Sequence, residues 1–538
     1  MSWPVVGRSA AAAIEKATIA AGIPAFELME NAGAALAAAA AAWLPRAGNE
    51  ISGQTATVLL LCGNGNNGGD GLVAARLLKT AGRSVAVVLC CGRPRAGSGA
   101  EHNLAIWEGA GGETLDAGDA LELLTDEGAD GCAVVVDAIF GTGLNRELAG
   151  KAAELVTALN ASGLPVVAAD IPSGLCSDSG RPLGVAVIAD TTVTFGCAKR
   201  GLFLGDGPNH GGRVNVADIG LLEPALAGVL PDAETIDAER CGDTLPLRHR
   251  SIHKGELGHV LIVGGSIGKS GAVVLAGTAA LRCGAGLVTL AVPSSLASIV
   301  DGALAETMTR ELADEGGQLA EGAWDGLREG MSNYDSVVLG PGLGTGPGAS
   351  DLVFSLIDSY AGPLLLDADA LNVLAEAGDR GREALLARSR NGATSAVMTP
   401  HPGEMARLLA SSVAEVQRDR LSAAAGYARS NHVVMVLKGA ATVVCAEERT
   451  AFNLSGNPGM ASAGMGDVLA GVIGTLQAQI SDSFEAAAAG VFLHGLAGDR
   501  METALGDCGY LASELANELP LAMTSIRHGN GNDYGYEQ

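Results

Sequence analysis

The chain has 538 residues, enough for two to four domains of ordinary size. With 34 Lys and Arg against 60 Asp and Glu, its formal net charge of −26 excludes general nucleic-acid binding, because most of the surface would repel a phosphate backbone. A hydrophobic fraction of 48% excludes a disordered chain, and 77 glycines are about twice the usual share. Glycine at that density fits either tight turns with backbone close to ligands or an Ala- and Gly-rich background.

Ten cysteines without a Cys-x-x-Cys pair form neither a disulfide framework nor a zinc pattern, which suits a reducing compartment. Arg8, Glu15 and Lys16 interrupt the Ala-rich start before a secretory core forms, and no apolar run reaches membrane-span length. A soluble, cytoplasmic protein is expected.

In chain order, a helical pattern at 27–43 precedes β-branched runs at 57–62, 84–89, 133–139, 165–169 and 191–195, with a helix at 72–80 between the first two. A second block has strand-like runs at 259–263, 287–292, 336–339, 363–366, 396–398, 433–437 and 442–445. Its helices fall at 272–283, 404–409 and 467–479. Both alternations predict α/β layers over mainly parallel sheets. Residues 226–247, rich in Pro and acid, read as a linker between domains at 1–225 and 248–505; residues 506–538 read as a partly disordered extension. Both halves are acidic, so the charge is not a detachable tail.

The first strand runs into Gly63-Asn64-Gly65-Asn66-Asn67-Gly68-Gly69-Asp70-Gly71. Glycines at a strand-to-helix turn let backbone N–H groups and the helix N-terminus face an anion; the alternative is a tight turn with an Asn cap. Asp137 closes a later strand before Gly141-Thr142-Gly143-Leu144, and Asp170 closes the next in Asp170-Ile171-Pro172-Ser173-Gly174. Adjacent strand ends of this kind form one cleft in open α/β sheets, unless each aspartate merely caps its loop.

These motifs, with Glu27-Leu28-Met29-Glu30-Asn31-Ala32-Gly33, resemble the NAD(P)H-hydrate epimerase family over roughly residues 10–220. The resemblance implies a Rossmann-like three-layer domain that interconverts R and S hydrates of NADH and NADPH. By motif it assigns substrate contacts to Asn66, Asn67, Gly68, Gly69, Asp70, Gly141, Thr142, Gly143, Leu144, Asn145, Arg146, Glu147 and Asp170. It assigns a potassium ion to Asn67, Asp137 and Ser173, an all-oxygen set suited to a hard cation. Asp170 is the candidate acid/base, with Lys199 as partner or phosphate contact. Family members usually carry Asp where this chain has Glu15.

In the second block, Gly264-Gly265-Ser266-Ile267-Gly268-Lys269-Ser270 lacks one residue of P-loop spacing. Nearer the C-terminus, Asn457-Pro458-Gly459-Met460-Ala461-Ser462-Ala463-Gly464-Met465-Gly466-Asp467 leads into an apolar helix. Asp467 there can accept a proton from a hydroxyl attacking phosphorus, or can simply cap the helix. Other strand ends carry Gly340-Pro341-Gly342-Leu343-Gly344, Thr399-Pro400-His401-Pro402-Gly403-Glu404 and Leu437-Lys438-Gly439-Ala440; Lys438 meets a phosphate or only solvates its loop. Asp367 and Asp369 support magnesium or cap a helix.

This set resembles the ADP/ATP-dependent NAD(P)H-hydrate dehydratase family, a ribokinase-like α/β fold, over about residues 248–500. By motif, Ala272, Gly342, His401 and Asp467 contact the hydrated nucleotide, and Lys438, Gly439, Ala440, Ala441, Thr442 and Gly466 contact ADP or ATP, with Mg2+ screening the phosphates. Lys269 stands where relatives commonly have tyrosine. The two resemblances imply one bifunctional repair enzyme, assembled as a homo-oligomer, acting on NADHX and NADPHX with no nucleic-acid or membrane partner. Its rivals are a small-molecule kinase and a ligand-sensing N-terminal module.

Overall fold

A computed structural model describes residues 3–44, 57–124, 131–229 and 231–527. The chain divides into two compact units between Glu234 and Thr235.

The N-terminal unit is built on a seven-stranded parallel sheet. Its order is Thr114–Asp116, Ser84–Leu89, Thr57–Cys62, Cys132–Ala138, Val166–Ala169, Thr191–Phe195, Arg213–Ala217. The central strands are nearly continuous Val, Leu and Ala because both faces are covered, as an all-parallel sheet requires. One face packs residues of the helices Ala25–Ala42, Asn66–Thr80 and Gly99–Gly109, among them Leu36, Leu72, Leu104 and Trp107. The other packs Ala120, Leu155, Val156 and Leu159 from Ala117–Leu123 and Lys151–Ala161. This is the expected three-layer, Rossmann-like arrangement. The chain winds outward in opposite directions from Thr57–Cys62 and Cys132–Ala138. The switch point between them places the carboxyl ends of those strands at a shared crevice.

An N-terminal arm, absent from the expected elements, completes this unit. Pro4–Val6 pairs in parallel with Ala198–Lys199, Val6 opposite Lys199, and leads into the helix Arg8–Ala20.

The C-terminal unit has parallel strands in the order Met308–Leu312, Leu287–Pro293, His259–Val263, Ser336–Leu339, Leu364–Leu366, Val397–Met398, Val434–Leu437. Val443–Cys445 and Thr450–Asn453 extend it antiparallel. One face buries Val260, Ile262, Val338, Leu365 and Val436 against the helices Ser270–Cys283, Met465–Gln479, Ser483–Leu505 and Ala512–Arg527. Pro347–Ser359 and Asp369–Ala377 bury apolar faces of their own.

Two boundaries differ from expectation. Residues 226–247 are not a bare linker: they hold the strand Ala233–Ile236 and the helix Ala238–Thr244. Asp237 caps that helix, and Arg240 pairs with Glu485 at 2.7 Å. Nor is the stretch from 506 a loose extension as far as 527. Ala512–Arg527 sinks Leu515, Leu519, Ala522 and Ile526 into the core, Pro520 within the helix notwithstanding. Its apolar positions recur at helical spacing, and their burial outweighs the backbone hydrogen bond that Pro520 cannot make. Residues 528–538 lie outside the described residues. Among the described residues no helix is long and apolar enough to cross a membrane.

Candidate active sites

In the N-terminal unit, Gly65 ends the loop after Thr57–Cys62 and Asn66–Thr80 begins, so Asn66, Asn67, Gly68, Gly69 and Asp70 form its first turn. The turn is compressed: a methyl on Gly63 would meet the Ile139 carbonyl, and one on Gly68 would meet the Gly63 carbonyl. No residue with a Cβ fits either place. The helix start is thereby pressed onto the neighbouring strand end, and the Asn67 side chain lies against Gly141. Leu144 donates to the Gly141 carbonyl at 3.2 Å, folding the loop of Gly141, Thr142, Gly143 and Leu144 over that side; Asn145, Arg146 and Glu147 continue it at the exposed rim.

Asp137 and Ser173, both fully buried, interlock at the next two strand ends. The Ser173 N–H donates to Asp137 Oδ2 at 2.7 Å and its hydroxyl to Oδ1 at 2.6 Å, while Phe140 N–H donates to Ser173 Oγ at 2.8 Å. Burial raises the Asp137 carboxyl to about 6 despite these donors. Among the described residues no cationic side chain pairs with it. Asn67 is buried on the same side with its Nδ2 unpartnered. A buried carboxylate with a hydroxyl, an amide and the Phe140 carbonyl nearby is a donor set that fits a hard monovalent cation.

Asp170 sits at φ 66, a left-handed backbone that few non-glycine residues adopt. The strained turn aims its carboxylate at Lys199, Nζ to Oδ1 2.6 Å, with both side chains almost wholly buried. Lys199 Nζ also donates to the carbonyls of Phe195 at 2.8 Å and Cys197 at 3.0 Å, so the ammonium is fully directed. The first expected pair therefore forms, and the N-terminal arm supports it by strand pairing at Lys199.

Two more carboxylates face this pair. Asp70 is pushed well above the usual carboxylate range, by burial first and then by the charges of Asp170 and Glu15, with Lys199 opposing. Glu15, on the arm's helix, is raised by desolvation and by Asp170. Three acids around one lysine favour retention of a proton in the cleft. The contribution of Glu15 was visible only as a departure from a family pattern, because the arm is distant in sequence from the strand ends.

In the C-terminal unit the helix Met465–Gln479 begins after Gly464, at φ 90. Asp467 lies in its first turn, which among the described residues has no side-chain cap, and its carboxyl is raised to about 6. The causes are burial, then Asp367, with Lys438 opposing and Asp369 adding. His494, buried in Ser483–Leu505, holds the start of this helix by bonding the Met465 carbonyl at 3.0 Å.

Lys438 Nζ lies 2.9 Å from Asp367 Oδ1 and 3.9 Å from Glu404 Oε2. A methyl on Gly466 would sit 3.3 Å from the same Nζ, so the lysine abuts the helix start that carries Asp467. Burial opposes its charge, but Asp367 and Glu404 outweigh burial and leave the ammonium above the ordinary lysine value. Lys438 is thus no solvating loop residue. Thr399 donates to Asp367 Oδ1 at 2.6 Å, which fixes the pair from below.

His401 is the N-cap of Pro402–Leu408, its Nδ1 accepting from Gly403 N–H at 2.9 Å, and Glu404 reciprocates by accepting from His401 N–H at 2.8 Å. With Nδ1 as acceptor, the exposed Nε2 carries the proton. Burial, Lys438 and Arg407 lower the imidazole's pKa, keeping it neutral. Glu404, which the motif reading passed over, is raised to about 7 by burial, with Lys438 opposing and Asp367 adding.

Asp369 has partners of its own, separate from those of Asp367. It accepts from Gly344 N–H at 2.8 Å and from Lys269 Nζ at 3.1 Å, clamping two Gly-rich loops together. Gly342, at φ 62, packs beside Ala272 and Lys269, and its carbonyl accepts from Ser266 Oγ at 2.7 Å. The Lys269 departure is thereby a cross-loop ion pair. Among the described residues no group of three or more His, Cys, Asp and Glu side chains could hold a metal.

The family described as YjeF-related protein N-terminus matches residues 25–201, and the family described as NAD(P)H-hydrate dehydratase matches residues 260–521. The bifunctional NAD(P)H-hydrate repair enzyme Nnr of Moorella thermoacetica is 40% identical over 94% of this chain and 93% of its own length. The protein of the same description from Coxiella burnetii is 39% identical over 94% and 96%. The chain belongs to the bifunctional NAD(P)H-hydrate repair enzyme family. Its C-terminal unit also resembles the ADP/ATP-dependent NAD(P)H-hydrate dehydratase of Bacillus subtilis co-crystallized with ATP and Mg2+. That match is at 27% identity with a TM-score of 0.45, covering 54% of this chain and 98% of that one.

Proposed function

We propose that each unit carries one step of a repair sequence on hydrated NADH or NADPH, the N-terminal unit interconverting the R and S epimers and the C-terminal unit dehydrating the S epimer with ADP. The buried Asp170–Lys199 pair is the observation that supports the first step. Epimerisation at a hydroxyl-bearing carbon beside the ring nitrogen breaks and re-forms one heteroatom bond to that carbon while a proton moves on and off the heteroatom. Asp170, held by a directed ammonium inside a cleft of further acids, is placed to move that proton. Substrate lies against the first turn of Asn66–Thr80, whose backbone N–H groups and Gly141–Leu144 neighbours receive its phosphates. Asn67, Asp137 and Ser173 would hold potassium, which would supply the positive charge that the buried Asp137 lacks.

In the second step Asp467, half-buried at a helix start, accepts the proton of the ring hydroxyl as that oxygen attacks the terminal phosphorus of ADP. The new C–O–P linkage leaves as phosphate when the ring nitrogen's lone pair expels it. The C–O bond breaks, the neighbouring ring carbon gives up a proton so that the ring double bond re-forms, and NAD(P)H, AMP, phosphate and that proton are the products. Lys438 and the helix N-terminus hold the negative charge that develops on the transferred group. Asp367 and Asp369 are engaged by Lys438 and Lys269; Mg2+ would be held chiefly by the nucleotide phosphates and would screen their charge. The enzyme works as a cytoplasmic homo-oligomer. Incubating the protein with hydrated NADH and ADP tests the assignment: AMP, phosphate and reduced-nicotinamide absorbance should appear in equal amounts. A stable phosphorylated alcohol without recovered absorbance would overturn it in favour of a small-molecule kinase.

A further inference from the structure

Arg420 stands at the first position of the helix Arg420–Asn431, remote in sequence from every motif of the site, and it is 5% exposed. Its guanidinium donates to three carbonyls of one short loop. Nη2 reaches Leu437 O at 3.0 Å and Lys438 O at 3.1 Å, and Nη1 reaches Ala440 O. The loop is contorted around it: Gly439 is at φ 141 and Ala441 at φ 51. A methyl on Gly439 would lie 2.9 Å from Arg420 Nη2. Burial costs the charge enough to draw the arginine pKa down to about 10, so this cation is retained against a solvation penalty.

The carbonyl directions fix what the other side of the loop presents. None of these peptide bonds is cis, and in a trans peptide C=O and N–H point in opposite directions. Lys438 obeys this, its N–H going to Pro400 O at 2.9 Å while the carbonyl of Leu437 goes to the guanidinium. By the same rule the N–H groups of Gly439 and Ala441 leave on the face away from Arg420. Thr442 Oγ1 donates to Gly439 O at 2.9 Å and ties the loop's end.

We propose that Arg420 is a positioning residue for nucleotide binding: by drawing three carbonyls inward it turns the Gly439 and Ala441 amides outward as an anion cradle for the phosphates of ADP. This rests on the assignment of residues 438–442 to the adenine nucleotide. Arg420 itself touches no substrate. Alternation of inward carbonyls and outward amides is the way a backbone concavity binds phosphate, and a single buried fork holds it preformed.

The test is ADP affinity by titration calorimetry on the full-length protein, with steady-state KM values for ADP and for the hydrate. Arg420→Met should raise the Kd and KM for ADP roughly tenfold while the hydrate KM stays within about twofold, because only the nucleotide loop is misaligned. Arg420→Lys, which keeps the charge but not the fork, should recover part of the loss and decides the question if the methionine variant does not fold. Unchanged ADP affinity in a folded variant, or equal rises in both KM values, would overturn the positioning role. Absence of ADP binding by the unaltered chain would overturn the nucleotide assignment and this proposal with it.

Discussion

The two glycine-rich turns that open the principal helix of each unit look alike in sequence and differ in physical reason. At Gly63 and Gly68 the constraint is a wall: backbone carbonyls of Ile139 and Gly63 occupy the space of a side chain. At Gly464 the constraint is the left-handed backbone, and at Gly466 the nearest atom is the far end of a flexible lysine. Glycine therefore brings backbone onto backbone in the N-terminal turn and seats the helix start against an ion-paired lysine in the C-terminal one. The carboxylates differ in the same sense. Asp170 is locked by a 2.6 Å ion pair, whereas Asp467 is coupled to its lysine electrostatically while Asp367 holds that lysine at 2.9 Å.

Separating the two chemistries gives the greatest change. Asp467→Asn should lower dehydration by roughly 10²–10⁴-fold, the range for loss of a positioned acid or base, while R/S interconversion measured by chromatography stays at its original rate. If interconversion falls with it, the units are not independent. Asp170→Asn should do the reverse, cutting interconversion by about a hundredfold or more with ADP-dependent turnover of the S epimer intact. Lys199→Met leaves Asp170 buried without its partner and should destabilise the N-terminal unit by about 3–5 kcal/mol in denaturant unfolding.

The glycine contrast has its own test. Gly68→Ala forces a methyl into a backbone carbonyl and should cost about 1–3 kcal/mol in the N-terminal unit's unfolding transition. Gly466→Ala should cost less than about 1 kcal/mol, since Lys438 can shift, but should raise the KM for ADP. Equal losses of stability would remove the distinction.

The smallest effect is in pH. Asp467 acts deprotonated, and its pKa lies above the ordinary aspartate value, so the dehydration rate should fall with a single-proton limb as pH drops through about 6. Asp367 raises that value and Lys438 lowers it. Asp367→Asn should therefore move the limb to lower pH, and Lys438→Met to higher pH. Movement of the limb in the same direction in both variants would show that other groups set it.

Strand ends were legible in the sequence because a short β-branched run stopping at Asp or Gly has one simple meaning in an α/β chain; the strands Thr57–Cys62, Thr191–Phe195, His259–Val263 and Ser336–Leu339 fall where the pattern put them. The pairing of Lys199 with Asp170 was within reach for the same reason, both lying just past strand ends. Short edge strands such as Thr114–Asp116 and Met308–Leu312 were not legible, since they are largely exposed and carry charged residues in place of a continuous apolar run. Glu15 and Arg420 were illegible as partners for another reason. Each acts across the fold on residues remote in sequence, and a lone charge in a helix reads as a solvated face until the structure buries or aligns it.

Two steps joined by one epimer are separated most directly by following a mixture of R and S hydrated NADH with excess ADP to completion. The unaltered chain should restore all of the reduced-nicotinamide absorbance. Asp170→Asn should restore quickly only the share present as S and then stall, and Asp467→Asn should restore none. Full, unslowed recovery by Asp170→Asn would refute the assignment of epimerisation to the Asp170–Lys199 pair.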